Sequence, residues 1–420
     1  MKKILIIAIG TRGDVQPAIA LGKRLQTAGH TVSILASAHF KPWIEGHGLI
    51  PIPASLDVQE VMQRGGVEWV EQGHRPLVQL SVIYRLAQES GMAPIWDAWE
   101  ASQGMDLIIS SITSDIYAVA IAEKLSIPLV SMAFQPTVQA TRSGPAMIAA
   151  PFPRQEAITN RLVGRFIYEP SPWLIYARLT NRFRQEIGLP HQGGRANRLA
   201  RNRLPMLMAF SPQVVPPAAD RPPQVHTTGY WFLEEEEINY RPPADLEAFL
   251  SNGPPPVYIG FGSMTRRDPG QITQILLEGI AKSGQRAVML SGWAGLGDHK
   301  LPDNILLLDR VPHSWLFPRM GAVVHHGGAG TTAAGLRAGV PSLIIPHFAD
   351  QPYWGERVNA LGVGPKQIWR HRLTADRLAQ GILQAVSSAP IRHKAATLGK
   401  RIRAEDGTGN AVKIMAELLN

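Results

Sequence analysis

Short apolar runs alternate along the chain with longer segments whose apolar residues recur at helical spacing. In the first part, the runs predict five buried strands, at Ile4–Ile9, Val32–Ala36, Leu107–Ser110, Leu129–Ala133 and Pro205–Phe210. Between the first two runs, the residues that precede Gly29 have the spacing of an amphipathic helix. Strands and helices that alternate with short turns are typical of a doubly wound parallel sheet.

The same alternation starts again after residue 256. Here the apolar runs predict five more strands, at Val257–Phe261, Ala287–Leu290, Ile305–Leu308, Ala322–His325 and Leu343–Ile345. Residues 215–256 carry clustered prolines and the acidic run Glu234–Glu237, which indicates a stiff linker. We therefore predict an α/β protein with two Rossmann-like, doubly wound parallel-sheet domains facing across a cleft. Ligands of such sheets bind at the carboxyl ends of the strands.

The composition fits two globular domains and excludes cysteine chemistry. The chain has 420 residues, of which 45% are apolar and 18% charged, and it contains no cysteine. Disulfides, thiolate catalysis and cysteine metal sites are therefore excluded. No apolar run approaches the roughly 18 residues of a membrane helix, so we expect a cytoplasmic protein.

The positive charge is concentrated in one segment. The formal net charge is +9, and residues 154–203 contain ten arginines, no lysine and three glutamates. A solvated helical face explains such a segment, but so does peripheral contact with an anionic membrane or an acidic ligand. Trp173, Leu174 and Tyr176 lie beside the arginines, which is the composition of an interfacial helix. Because no nucleic-acid-binding module accompanies the charge, nucleic acid is not an expected partner.

Four loops that follow predicted strands carry polar residues at the expected ligand edge. The first, GTRGDVQP, combines the turn-permitting Gly10 and Gly13 with a helix start whose amides can bind an anion. Asp14 can act there as an acid–base group or as a helix cap. The loop lacks the patterns of a P-loop and of a dinucleotide fingerprint.

The other three loops lie in the second half. GFGSM offers glycine amides and the hydroxyl of Ser263 to a phosphate. HHGGAGTT, at His325–Thr332, opens a helix with glycines and threonines, a combination suited to a diphosphate. In PHFADQPYW, Asp350 and Gln351 suit vicinal sugar hydroxyls, and Trp354 is either an aromatic wall or a packing residue.

The chain resembles the UDP-glycosyltransferase superfamily of the GT-B fold. The resemblance is strongest to its sterol 3-beta-glucosyltransferase branch and is also clear to bacterial glycosyltransferases of glycopeptide and polyketide antibiotics. It rests on segments that occur in the family's order across nearly the whole chain: GTRGDVQPAIALG, AEKLSIP, TGYW, GFGSM, RVPHSWLF, HHGGAGTTAAGLRAGVPSLIIP and DQPYWGERV.

The resemblance implies a role for each candidate residue. Asp14 matches the general base that accepts the proton of the acceptor hydroxyl. The implied donor-binding residues are Gly13, Ser263 as a phosphate or ribose contact, Val311 and His313 in the uracil loop, His326, Gly328, Gly330, Thr331 and Thr332 in the diphosphate loop, and Asp350 and Gln351 at the donor sugar. Two positions depart from the plant enzymes, which have a tryptophan at Arg310 and a ribose-binding glutamate at Ala334.

The family's layout also implies what each region does. It gives residues 1–214 to an acceptor-binding domain, 215–256 to a linker, 257–400 to a nucleotide-sugar domain and 401–420 to a helix that packs back on the first domain. Variable segments build the acceptor pocket, here about residues 55–100 and 135–185. The aromatic residues that line this pocket or belong to the core are Trp69, Trp96, Trp99, Phe134, Phe152 and Trp173.

The sequence therefore predicts an inverting glycosyltransferase that needs neither metal nor cofactor. It would move glucose from the co-substrate UDP-glucose to a hydroxyl of a hydrophobic, sterol-like acceptor and form a β-glycoside. The alternatives are a TDP-sugar-dependent enzyme of polyketide or glycopeptide biosynthesis and a catalytically silent binding protein. The missing GxGxxG disfavours a Rossmann dehydrogenase.

Overall fold

The computed structural model describes residues 1–58, 60–61, 75–136, 140–143, 157–233, 240–261, 269–290 and 301–419. The chain divides into two units. The first comprises Met1–Met62, Leu80–Leu233 and Asp406–Asn420, and the second comprises Gln63–Gln79 and Glu234–Glu405. Three residues singled out in the sequence, Ser263, Trp69 and Phe152, lie outside the described residues.

The first unit contains a seven-stranded parallel sheet. Its strands are β1 (Lys3–Ile7), β2 (Thr31–Ser37), β3 (Ile50–Ala54), β4 (Leu107–Ser111), β5 (Leu129–Ala133), β6 (Met206–Met208) and β7 (Val225–Thr227). They lie in the order β3-β2-β1-β4-β5-β6-β7. The apolar pattern does not predict the two edge strands, because β3 carries two prolines and β7 lies in the proline-rich segment 215–256.

Helices cover both faces of this sheet. Up to residue 233 they are α1 (Arg12–Thr27), α2 (Lys41–Gly46), α3 (Pro76–Ser90), α4 (Ala93–Ala101), α5 (Asp115–Leu125), α6 (Ile158–Val163), α7 (Ser171–Glu186) and α8 (Gly194–Arg203). A 3₁₀ turn lies at Ala38–Phe40, and a π-helical turn at Gly164–Tyr168 continues α6. Within β1, Ile4 and Ile6 pack in the core that contains α1, and Leu5 packs in the core that contains α4 and α5.

The second unit contains a five-stranded parallel sheet. Its strands are β8 (Val257–Gly260), β9 (Ala287–Leu290), β10 (Ile305–Leu308), β11 (Ala322–His325) and β12 (Ser342–Ile344), in the order β10-β9-β8-β11-β12. Its helices are α9 (Ala244–Ser251), α10 (Pro269–Ser283), α11 (His313–Leu316), α12 (Ala329–Ala338), α13 (Gln351–Ala360), α14 (Ala375–Ser387) and α15 (Ala389–Arg403). Two 3₁₀ turns, Phe317–Arg319 and Arg370–Arg372, complete it.

The strand order of the second unit marks a ligand edge. The chain runs outward from β8 through β9 to β10 and then returns to β11, on the other side of β8. In such sheets, ligands bind outside the carboxyl ends of the strands, where the direction of winding reverses. Here β11 ends with His325 opposite Gly260 of β8 and Ile344 of β12.

The last helix, α16 (Gly407–Leu419), belongs to the first unit. It contacts α1, and Ala411 and Met415 are buried in the core on that side of the sheet. Each of the ten predicted apolar runs overlaps a strand, and both sheets are parallel, so the prediction of two doubly wound α/β domains is confirmed. Among the described residues, no helix is long and apolar enough to cross a bilayer.

Candidate active site

The turn between β1 and α1 places Asp14 in the first turn of the helix. Thr11 is the N-cap residue, and its Oγ1 accepts a hydrogen bond from the Gly13 amide at 3.2 Å. The Asp14 carboxylate in turn contacts Thr11: its Oδ2 accepts hydrogen bonds from the Thr11 amide at 2.8 Å and from the Thr11 hydroxyl at 3.2 Å. Asp14 therefore completes a capping box, and Thr11 occupies the cap position that the sequence left open to Asp14.

One oxygen of Asp14 is held and the other is not. Both hydrogen bonds end on Oδ2, and Oδ1 has no hydrogen-bond partner in the part of the chain that the structure describes. Loss of solvent around the half-buried Asp14 carboxyl raises its pKa, although the hydrogen bonds from Thr11 lower it. A Cβ atom at Gly10 would lie 2.2 Å from Oδ2, so glycine at this position makes the room that the carboxylate occupies.

Asp115 has a different environment. It begins α5 and is 1% exposed, and its carboxyl accepts hydrogen bonds from Ser110 on β4 and from Ser131 on β5, the latter at 2.6 Å. Burial raises the pKa of Asp115 to about 7, although both serines and the charge of Arg201 lower it. The structure shows a carboxyl that joins a helix to two strands.

The glycine turn after β11 brings a helix start to the ligand edge. Gly327 has a φ of +91°, and a Cβ atom there would lie 2.6 Å from Ile344, so the turn requires glycine. The side chain of His325 is fully buried, and its Nδ1 accepts from the Gly327 amide at 3.1 Å. This bond fixes the path of the chain into α12.

The start of α12 has no side-chain cap. Gly328 is the N-cap residue, and the first intrahelical hydrogen bond runs from the Thr332 amide to the Gly328 carbonyl at 2.9 Å. The amides of residues 329–331 therefore have no acceptor within their own helix. Unpaired amides and the positive end of the helix dipole make this turn an anion site.

His326 lies beside this helix start as a neutral imidazole. Burial lowers its pKa to about 4, and its Nδ1 is buried with no hydrogen-bond partner among the described residues. A Cβ atom at Gly328 would lie 2.5 Å from its Nε2, so the glycine leaves room for the ring over the helix start. A neutral imidazole carries one N–H, which a phosphate oxygen can accept.

The two threonines of the turn differ. Thr332 is fully buried, and its hydroxyl donates to the Gly328 carbonyl at 2.9 Å, so this side chain is used within the turn. Thr331 is half-buried and Gly330 is exposed, with open space where a Cβ atom would lie. Of the two hydroxyls predicted at a diphosphate, Thr331 is the one that remains accessible.

Asp350 and Gln351 follow β12 at the start of α13. Gln351 is buried, and its Oε1 accepts from the amides of His347 at 2.8 Å and Phe348 at 3.2 Å. Trp354 is fully buried and donates from Nε1 to Asp350 Oδ2 at 2.7 Å. Trp354 is therefore a packing residue that positions the Asp350 carboxylate, and it is not an aromatic wall.

The loop after β10 orients an imidazole through a residue that sequence reasoning missed. The Tyr258 hydroxyl lies 3.2 Å from His313 Nε2, and the His313 ring stacks on Phe317 with centroids 4.4 Å apart. A Cβ atom at Gly260 would lie 2.2 Å from this hydroxyl. The side chain of Val311 packs in the core, so a nucleotide base bound at this loop would contact only the backbone of Val311. No pattern in the sequence separates Tyr258 from an ordinary core aromatic of a strand.

Three of the aromatic residues considered for an acceptor pocket contact buried aromatic side chains of the first unit. Trp96 and Trp99 both contact the buried Phe183 edge-on, with centroids 5.3 and 5.9 Å apart. Phe134 contacts Trp231 in the same way, at 6.2 Å. These contacts favour the core interpretation.

Two family models match the chain. Residues 4–142 match the glycosyltransferase family 28 N-terminal domain. Residues 287–418 match the erythromycin biosynthesis protein CIII-like C-terminal domain.

Similar curated proteins include sterol 3-beta-glucosyltransferases of fungi. That of Aspergillus terreus is 37% identical over 427 residues, and that of Neurospora crassa is 34% identical over 435 residues. Each alignment covers 98% of this chain but only 29% and 27% of the respective relative. The chain thus spans less than a third of the length of these relatives.

Solved structures share the fold over the whole chain. The glycotransferase of kitacinnamycin has a TM-score of 0.74 and 19% identity, covering 100% of this chain and 99% of that one. The glycosyltransferase SsfS6 of Streptomyces sp. SF2575, complexed with thymidine diphosphate, has a TM-score of 0.66 and 20% identity, covering 99% and 100%. The GT-B fold predicted from the sequence is confirmed.

Proposed function

Because the chain belongs to the UDP-glycosyltransferase superfamily, we propose that it transfers glucose from UDP-glucose to a hydroxyl of a sterol-like, lipophilic alcohol and forms a β-glycoside. Fungal relatives that align with 98% of this chain are sterol 3-beta-glucosyltransferases. The observation that best supports a nucleotide-sugar donor is the uncapped helix start at Gly328 with the neutral His326 beside it. This arrangement suits the diphosphate of a nucleotide sugar.

The second unit binds the donor in this proposal. The amides at the start of α12 and the N–H of His326 stabilise the negative charge that develops on the departing diphosphate, so the reaction needs no metal and no cofactor. Oε1 of Gln351 accepts two backbone hydrogen bonds, so its amide hydrogens face the donor hexose together with the Asp350 carboxylate. His313 contacts the uracil.

Asp14 is the general base in this proposal. Thr11 holds Oδ2, so Oδ1 accepts the acceptor's proton as the hydroxyl oxygen attacks the anomeric carbon. The bond from that carbon to the diphosphate breaks on the opposite face, and UDP leaves with the electron pair, which inverts the configuration. Because burial raises the pKa of Asp14, its carboxylate is a stronger base than an exposed aspartate.

The acceptor also implies a location. A sterol-like alcohol partitions into membranes, so the proposal includes peripheral contact between the basic segment 154–203 and a bilayer. The protein would work from the cytoplasm.

The test is a transfer assay with purified protein, labelled UDP-glucose and ergosterol in detergent. We expect a β-glucoside, and we expect Asp14→Asn to reduce the rate at least 10³-fold while UDP binding, measured by calorimetry, stays within about twofold. Asp303→Asn, at an exposed carboxylate of the second unit, is the matched control and should keep the wild-type rate.

Three results would contradict the proposal, each in a different part. An Asp14→Asn protein with most of its activity would remove this carboxylate from the base role. Turnover of dTDP-glucose with none of UDP-glucose would favour the TDP-sugar alternative. Binding of UDP-glucose without transfer to any hydrophobic alcohol, and without slow hydrolysis, would identify a catalytically silent binding protein.

A further inference from the structure

Five large apolar side chains are exposed within a short stretch of the first unit. They are Ile158, Leu162, Phe166, Ile167 and Leu174, and each is between 48% and 73% exposed. We refer to these five residues as the apolar stripe. Apolar side chains concentrated in this way on a protein surface mark an interaction site.

The helical geometry separates the stripe from the residues that hold this segment in place. α6 and the π-helical turn that follows it place Ile158, Leu162 and Phe166 on successive turns of one face, about 12 Å from end to end. The opposite face is anchored: Asn160 is buried and donates to the Arg142 carbonyl at 2.7 Å, and Gly164 packs against Ala140. Packing among the residues that the structure describes therefore leaves the stripe uncovered.

Within the described residues 157–178, the exposed charged side chains are all positive. Arg161, Arg165 and Arg178 are exposed, and the only acidic residue in 157–178 is Glu169, which is buried. Arg161 and Arg165 each keep one ion pair, to Asp220 at 3.7 Å and to Glu169 at 3.3 Å.

Two arginines of the basic segment 154–203 are not available to a membrane. Arg184 is buried, and it forms a two-point ion pair with Glu123 while donating to the Pro190 carbonyl at 2.8 Å. Arg201 is buried as well, and it donates to Asn197 at 3.0 Å and to the Glu169 carbonyl at 2.9 Å. These two side chains hold the first unit together and cannot contact a membrane.

From this arrangement, we infer that the apolar stripe docks the protein on the surface of an anionic bilayer. Apolar side chains on one helix face enter the interface, and flanking arginines meet the lipid phosphates. A small-molecule pocket would be concave, whereas these side chains form an exposed ridge. A symmetric dimer through this face would bring the arginines against their own copies, which opposes self-association. The inference deepens the proposed function, because the acceptor is lipophilic.

The test is cosedimentation of the full chain with vesicles of phosphatidylcholine alone or with 30% (roughly one lipid in three) phosphatidylglycerol. We expect binding to the anionic vesicles that weakens as salt rises, because salt screens the arginines. Leu162→Gln with Phe166→Gln should weaken binding at least tenfold. Leu383→Gln, at a leucine of α14 that is 40% exposed, is the matched control and should bind as the wild type does.

Transfer activity separates this inference from the proposed function. The double variant should lose activity with acceptor in anionic vesicles by a larger factor than with acceptor in detergent. Wild-type protein that does not bind anionic vesicles at low salt, or a double variant that binds them fully, would overturn the docking surface. Two other results would also overturn it. A raised KM of the double variant for acceptor in detergent would assign the stripe to acceptor binding. A wild-type dimer in sedimentation that the double variant does not form would assign the stripe to self-association. Vesicle binding by a chain that transfers no sugar would refute only the proposed function.

Discussion

Replacing Asp115 with asparagine removes a titrating group from the core of the first unit. In the folded protein, burial raises the pKa of Asp115 to about 7 from 3.8, so the carboxyl holds its proton across the mildly acidic range. The unfolded chain loses this proton near pH 4. The stabilisation from the raised pKa is therefore complete below about pH 4 and is lost as the pH rises to 7.

The size of the effect follows from the shift. A difference of about three pKa units corresponds to about 4 kcal/mol in the free energy of unfolding, and about 3 kcal/mol of it falls between pH 5 and pH 8. At pH 5 the amide of Asp115→Asn replaces a protonated carboxyl, because its carbonyl oxygen can accept from one serine and its NH2 group can donate to the other, so the variant should have nearly wild-type stability there. Its free energy of unfolding should fall less between pH 5 and pH 8 than that of the wild type.

The assay is urea unfolding at closely spaced pH values, followed by tryptophan fluorescence. The quantity to plot is the difference in unfolding free energy between wild type and variant, because the contributions of all other titrating groups cancel in it. Asp303→Asn, at an exposed position of the second unit, provides the control difference. Parallel curves for wild type and Asp115→Asn would show that the buried carboxyl is already ionised at pH 5, and would refute the reasoning.

Three further substitutions probe the candidate site. Gly10→Ala should lower kcat at least tenfold and also lower Tm, because the new methyl group displaces the Asp14 carboxylate from its capping box with Thr11; an unchanged rate would show that the carboxylate needs no such room. Gly327→Ala should cost about 1–3 kcal/mol in unfolding and weaken UDP binding in calorimetry, since alanine at a φ of +91° is strained. Trp354→Phe removes the hydrogen bond to Asp350 and should raise KM for UDP-glucose about tenfold, with UDP affinity unchanged.

The sequence predicts every strand of the two sheets except β3 and β7, at the edges of the first sheet. A central parallel strand must be apolar at nearly every position, so the runs that become β1, β4 and β8 stand out. An edge strand tolerates proline and polar residues, so β3 and β7 lack that pattern.

The sequence also predicts only part of the candidate site. The glycines that require close approach or a positive φ are readable from the motif, but the direction of a side chain is not. Thr331 and Thr332 are adjacent and chemically identical, yet only the second is turned inward to the Gly328 carbonyl. The inward position of Trp354 likewise depends on tertiary packing that no local pattern encodes.

The position of α16 has a consequence for the order of folding during synthesis. The ribosome delivers residues 234–405 of the second unit before the segment that completes the first unit, Asp406–Asn420. Until that segment emerges, the surface of α1 lacks Ala411 and Met415 and stays exposed to water. The first unit is thus begun before the second unit and completed after it, and a nascent chain stalled before Asp406 emerges would carry a complete second unit and a first unit whose α1 surface is still open.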